Sequence, residues 1–178
     1  PDAGEAAVIG GGLVGLSIDT AGTHGVRART QHGGEYDIHV LGGTTACMET
    51  GVVTTTHPGG PNDFVQNKVT LFGQNAGGPT LIMDGDLVAN SCKNTMDVVA
   101  LHQASSGILL KGCDSNIWLR CIAYRAGGSG AGVELWGGDG TNRNGAGSEF
   151  FCGLFEPGAG GVVNQGTDTS GVVLPSTG

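Results

Sequence analysis

The chain has 178 residues, enough for one domain with a real buried core. Eight basic against sixteen acidic residues leave a formal charge of −8, a field that repels nucleic acid, so no nucleic-acid partner is expected. No run approaches the roughly 18 consecutive apolar residues of a membrane span, and no charged-then-apolar leader follows Pro1, so the chain reads as a processed product or a piece of something longer.

Glycine is the outlying residue, at 36 of 178, about three times its usual share. It first gathers in AAVIGGGLVGLS at 6–17, where Gly10, Gly12 and Gly15 stand in G-x-G-x-x-G spacing after an apolar stretch. A dinucleotide site would need a helix to start at these glycines, so that its N-terminus meets the pyrophosphate. Gly22 and Gly25 come too soon for that helix, and the next apolar run, 37–41, ends in Gly42-Gly43 rather than in an acidic residue for a ribose hydroxyl. The stretch is therefore expected to be a strand entering the first unit of a repeat, its glycines serving a tight turn, and no cofactor is expected.

Beyond it, a short form recurs: GVRART (25–30), GVVTTT (51–56), TLIMDG (80–85), GILLKG (107–112), GVELWG (132–137) and GVVNQG (161–166). The steps between their first residues are 26, 29, 27, 25 and 29. A second, alternating apolar stretch also recurs: 36–42, 67–73, 96–102, 116–125 and 148–155. Small-residue turns such as GGTTACMET, QNAGG and AGGSGAG follow these stretches. Alternation with β-branched residues between glycines predicts strands, and no window predicts a helix of ten residues. One repeat reads strand, glycine-rich turn, strand, variable loop. Strands of 4–6 residues returning every 25–29 residues suit a solenoid of about six coils, stacked as parallel sheets. Residues 1–24 would be a first coil or cap, 25–174 the coils and 175–178 a tail of one domain.

Alternation assigns faces. Val26, Val52, Leu81, Ile108, Val133 and Val162 form an inward column, with Ala28, Thr54, Met83, Leu110, Leu135 and Asn164 behind it. Outward columns hold Arg27, Val53, Ile82, Leu109, Glu134 and Val163, then Arg29, Thr55, Asp84, Lys111, Trp136 and Gln165. The apolar members of the first outward column predict a cover (a loop, a neighbouring subunit or the rest of a longer chain) and are the best sequence hint of an oligomer. Five cysteines without C-x-x-C or zinc spacing read as buried thiols. Aligning 120–133 with 151–162 places Cys121 beside Cys152 and Tyr124 beside Phe155 in neighbouring coils.

The repeated G-[VI]-x-[LVAMT]-x segments, with N-I-x-L-x-C at 116–121 ahead of AGGSGAGVELWGG, resemble the right-handed parallel β-helix proteins of the pectin-lyase-like superfamily. Within that superfamily the flavour is similar to the β-helical parts of viral tail spikes and tail fibres. The resemblance covers 25–174 and implies a right-handed all-β solenoid. It also implies a virion or cell-surface setting, though its members range from polysaccharide lyases and hydrolases to adhesins and non-catalytic spikes.

The leading expectation is a structural and receptor- or glycan-binding module in a homo-oligomer, with a trimer favoured. Trp136 offers an exposed platform for a sugar ring, and Lys111 and Arg27 stand near or in the outward columns. The alternative is a polysaccharide-degrading enzyme with outward carboxylates Asp84, Asp86, Glu134 and Asp139, since glycoside hydrolysis needs two. Asp84 beside Lys111 also reads as a plain ladder ion pair. A spacer or filament subunit is the third reading. His24, His32, His39, His57 and His102 do not fall at metal-ligand spacing, so no metal is expected.

Overall fold

The computed structural model describes residues 8–28, 31–50, 64–74, 76–84, 91–111, 116–124, 132–136, 149–150, 153–156 and 162–165. Every regular element in them is a β-strand. The first passage of the chain gives β1 (Val8–Ile9), β2 (Gly12–Thr20) and β3 (His24–Ala28). The second gives β4 (Gln31–His32), β5 (Glu35–Gly42) and β6 (Ala46–Thr50), and the third β7 (Phe64–Val65), β8 (Lys68–Gln74) and β9 (Leu81–Asp84). Then come β10 (Ser91–Cys92), β11 (Thr95–Leu101) and β12 (Ile108–Lys111), followed by β13 (Ile117–Tyr124) and β14 (Val133–Trp136). The last are β15 (Glu149–Phe150), β16 (Gly153–Glu156) and β17 (Val162–Gln165).

Successive passages lay their strands into three parallel sheets. The order is β1-β4-β7-β10 in a narrow sheet, β15-β13-β11-β8-β5-β2 in a central sheet that β16 also joins through β13, and β17-β14-β12-β9-β6-β3 in the third. Each strand thus pairs with its equivalent about 4.8 Å away in the next passage. In-register pairing turns the alternation of one strand into rows that run across a sheet.

Inward rows of the central sheet are Tyr36–Val69–Met96–Trp118 and Ile38–Leu71–Val98–Cys121. Facing them from the third sheet is Val26–Met48–Leu81–Ile108–Val133, a row that Val162 continues in register. Most of these belong to one buried cluster, each large side chain contributing about 1.5–3 kcal/mol by leaving water. A third inward row, Val40–Gly73–Ala100–Ala123, is small for a reason. The third sheet turns in so closely there that a Cβ on Gly73 would sit 2.3 Å from the Thr80 side chain.

The corner before the central sheet is polar yet dry. Asn67, Asn94 and Asn116 precede β8, β11 and β13, each at most 2 % exposed. The Asn94 amide nitrogen donates to Phe64 O (2.9 Å) and Asn116 Oδ1 (3.0 Å), and its backbone N–H donates to the same Oδ1. Its own Oδ1 accepts from Asn67 N and Nδ2, and Asn67 Oδ1 accepts from Gly34 N at 2.7 Å. Each side chain so satisfies backbone donors that the turn would otherwise strand in the core. Gly33, Gln66 and Lys93, one residue ahead of Gly34, Asn67 and Asn94, share a left-handed backbone with φ of 56–63°.

Gly10 joins that left-handed set at φ 71°, its N–H donating to His32 O at 2.7 Å. The G-x-G-x-x-G stretch is thus the turn and strand of the first passage: β2 follows the glycines where a nucleotide fold needs a helix. Gly12, at φ 135°, lies so close to β5 that a Cβ would come within 1.8 Å of Glu35 O. Gly15, at φ 68°, is the extra residue of a bulge, since Val14 pairs with Asp37 but Leu16 with Ile38.

Two expectations are corrected by register. Met48, not Val52, stands between Val26 and Leu81, and Glu49 takes the place given to Val53. The segment GVVTTT lies outside the described residues; the strand is 46–50, inside the stretch read as a turn. Its five residues are all buried, so no alternation marked it. Cys121 pairs with Gly153 and Ala123 with Phe155, so the expected Cys121–Cys152 and Tyr124–Phe155 neighbours are one residue out of step. Cys152 lies outside the described residues. Register keeps Ile82 and Leu109 in the expected outward row, yet Ile82 is only 5 % exposed and Leu109 half-buried, so the chain itself already covers much of that stripe. Apolar exposure falls instead on Val14 and Leu16 of β2 and on Ile117 and Leu119 of β13.

Candidate binding groove

Outward residues of the central sheet form two facing rows. One is Val14–Asp37–Thr70–Asp97–Arg120, the other Ser17–His39–Phe72–Val99–Ile122. Between them lies a groove of about 320 Å³, near the lower end for ligand sites. The groove is open beside Gly15, where the bulge carries no side chain into it. His39 meets Phe72 at 90° with ring centroids 4.6 Å apart, and Val99 continues that apolar strip.

Charge on this face is largely paired. Arg120 holds Asp97 through Nε and Nη2, the second contact at 3.0 Å to Oδ2. Lys68 Nζ bonds Glu35 Oε1 at 2.8 Å, a hydrogen bond that raises the lysine pKa, helped by the charges of Glu35 and then Asp37. Asp37 has no ion-pair partner among the described residues. Aromatic edges, an aliphatic floor, a hydroxyl and an unpaired carboxylate form a set suited to a polyhydroxylated ligand.

The residues expected from sequence lie on the third sheet. Asp84, Lys111, Trp136 and Gln165 share one row in the expected register, so Lys111 stands between Asp84 and the tryptophan. Glu134 stands in the neighbouring row, Arg27–Glu49–Ile82–Leu109–Glu134–Val163, and accepts a short hydrogen bond from Ser106 Oγ. Two strand spacings and two residues part Asp84 from Glu134, roughly 12 Å between Cα atoms. Asp86 and Asp139 lie outside the described residues.

Arg27 belongs to a separate cluster: its Nε contacts Glu49 Oε2 at 2.9 Å, and His24 Nε2 reaches the same oxygen at 2.8 Å. Burial lowers the His24 pKa; the Glu49 charge opposes that shift and Arg27 adds to it. Among the described residues, no three His, Cys, Asp or Glu side chains gather as metal ligands.

The glycine-bounded segments drew attention away from this face: Gly15 entered only as a glycine of the first turn and His39 only as a histidine away from metal-ligand spacing, neither as a ligand contact. The signal was present as the alternate residues Asp37 and His39 in 36–42, Thr70 and Phe72 in 67–73, and Asp97 and Val99 in 96–102. No helix among the described residues is long and apolar enough to cross a membrane. No family model matches the chain, and no curated protein or solved structure matches it significantly.

Proposed function

We propose that the three sheets are the faces of a right-handed parallel β-helix. In this reading the module belongs to an elongated, trimeric viral or cell-surface appendage and binds glycan on the outer face of its central sheet. The observation that supports this reading is the groove over His39, Phe72 and Val99. It offers apolar contact to the C–H face of a sugar and, in Asp37 and Thr70, partners for hydroxyls. Trp136, with Lys111 and Asp84 in its row, is the competing platform.

Calorimetric titration with soluble oligosaccharides, alongside light scattering for oligomer size, tests the proposal. Phe72→Ala is expected to weaken binding at least tenfold while Trp136→Ala changes it little. The reverse pattern moves the site to the third sheet. Glycan binding indifferent to both variants removes the groove from the function. Polysaccharide turnover that Asp84→Asn or Glu134→Gln abolishes would replace the binding reading with the enzymatic one.

A further inference from the structure

The charges around the groove restrict what it can hold. On the outward faces of β2, β5, β8, β11 and β13, Asp19, Glu35, Asp37 and Asp97 stand against only Lys68 and Arg120. Both cations are committed: Lys68 to Glu35 at 2.8 Å, Arg120 to both oxygens of Asp97. Asp37 is exposed and lines the groove. Asp19, also exposed, carries a further negative charge on the next strand, two residues beyond Ser17.

We infer that the groove selects an uncharged glycan and rejects one bearing carboxylates or sulfates, an inference that rests on the glycan reading above. A carboxylate facing the ligand has spare acceptor capacity and no donors of its own. Sugar hydroxyls supply donors, and hydrogen bonds to an ionised acceptor are the strong ones. A uronate brings a second carboxylate to the same place, where no lysine or arginine on these strands is uncommitted. Recruiting Arg120 or Lys68 would mean breaking an existing pair. At about 5 Å in a watery groove, two like charges cost roughly a factor of five in affinity, and Asp97 and Asp19 add to the same sign.

The test titrates the full chain with neutral galactan and glucan hexamers and with a galacturonate hexamer, at low salt and at about 1 M salt. At low salt one of the neutral hexamers is expected to bind at least tenfold tighter than the uronate. The gap should close at high salt, where screening acts within about 3 Å. Asp37→Asn should raise uronate affinity about fivefold and lower that of the neutral ligand, with an unchanged unfolding midpoint showing that the fold is intact. A purely structural role for Asp37 would not move the neutral-to-uronate ratio. Uronate binding equal to or tighter than neutral binding overturns the inference while leaving glycan recognition standing, as does a ratio unmoved by Asp37→Asn. Failure of every hexamer to bind removes the glycan reading itself, and this inference with it.

Discussion

Two sets of stacked polar residues differ in what they leave unsatisfied. At the corner before the central sheet, the same residue, asparagine, recurs in three passages: Asn67 donates to Asn94, Asn94 donates to Asn116, and each of the three Oδ1 atoms accepts a backbone N–H. On the outer face of that sheet, the row Asp37–Thr70–Asp97–Arg120 changes chemistry at every step, and Asp37 keeps acceptor capacity. Repetition at the corner closes the hydrogen-bond inventory and stabilises the stack. Variation on the face leaves groups that a ligand can use. A row of identical residues is thus a sign of architecture here, and a row of unlike ones a sign of a surface under other demands.

The sharpest way to break this contrast is Asn94→Ala. It removes two side-chain donors and an acceptor that serves two donors, stranding Asn67 N, Phe64 O and part of Asn116 in a dry corner. Several lost hydrogen bonds at about 1 kcal/mol each, plus orphaned buried groups, predict a loss of about 3–5 kcal/mol in denaturant unfolding. A loss below about 1 kcal/mol would mean that water fills the corner and that it is not closed.

Next in size comes the interior behind both rows. Burial pushes the Cys47 thiol up to about 11 and the Cys121 thiol to about 12, from an ordinary 9.0. The fold therefore favours the neutral thiols, and only the unfolded chain ionises them from pH 9. Their contribution is intact below pH 9 and falls as pH rises toward 11 and 12, by up to about 1.4 kcal/mol per pH unit per thiol. Unfolding midpoints at pH 8 and 10.5 measure this, with the Cys47→Ala/Cys121→Ala variant expected to flatten that part of the decline. In the native protein at pH 8, an aromatic disulfide reagent should modify neither thiol until denaturant is added.

How much of this was legible depends on which physical signal each segment carries. Leu81, Ile108, Val133 and Val162 fell into their true row from sequence because an aliphatic residue returns there at near-constant spacing. Ala46–Thr50 did not, because a strand buried on both faces shows no alternation. The two-residue strands Gln31–His32, Phe64–Val65 and Ser91–Cys92 are too short to show any period. The asparagines were visible one residue before β8, β11 and β13, at a constant offset. Read singly they look like turn residues, and only stacking gives them their role. The groove eluded the sequence for the opposite reason: neither row repeats one residue type along its length, so nothing but register assembles them.

Phe72→Ala sharpens the comparison from the other side. The ring stands on the outer face, half-buried against His39. Its removal is expected to cost about 1 kcal/mol or less, well under a buried aromatic truncation of about 3–5 kcal/mol. Stability measured in parallel with glycan titration should therefore show a large effect on binding and a small one on folding. A folding cost equal to that of Trp118→Ala would mean that Phe72 is core and that the groove is a packing defect.

The smallest expected effect is that of Lys68→Ala. Its ion pair with Glu35 is fully in water, with both side chains more than half exposed, and water screens most of what a 2.8 Å contact would otherwise provide. The unfolding midpoint should stay within experimental error of the parent. Binding should respond, because removing the cation leaves Asp37 with one fewer positive charge nearby and makes the face still more negative. Uronate affinity at low salt should fall further while neutral glycan affinity holds. A lysine that mattered only to the fold would give the opposite record, a shifted midpoint with an unchanged ratio of affinities.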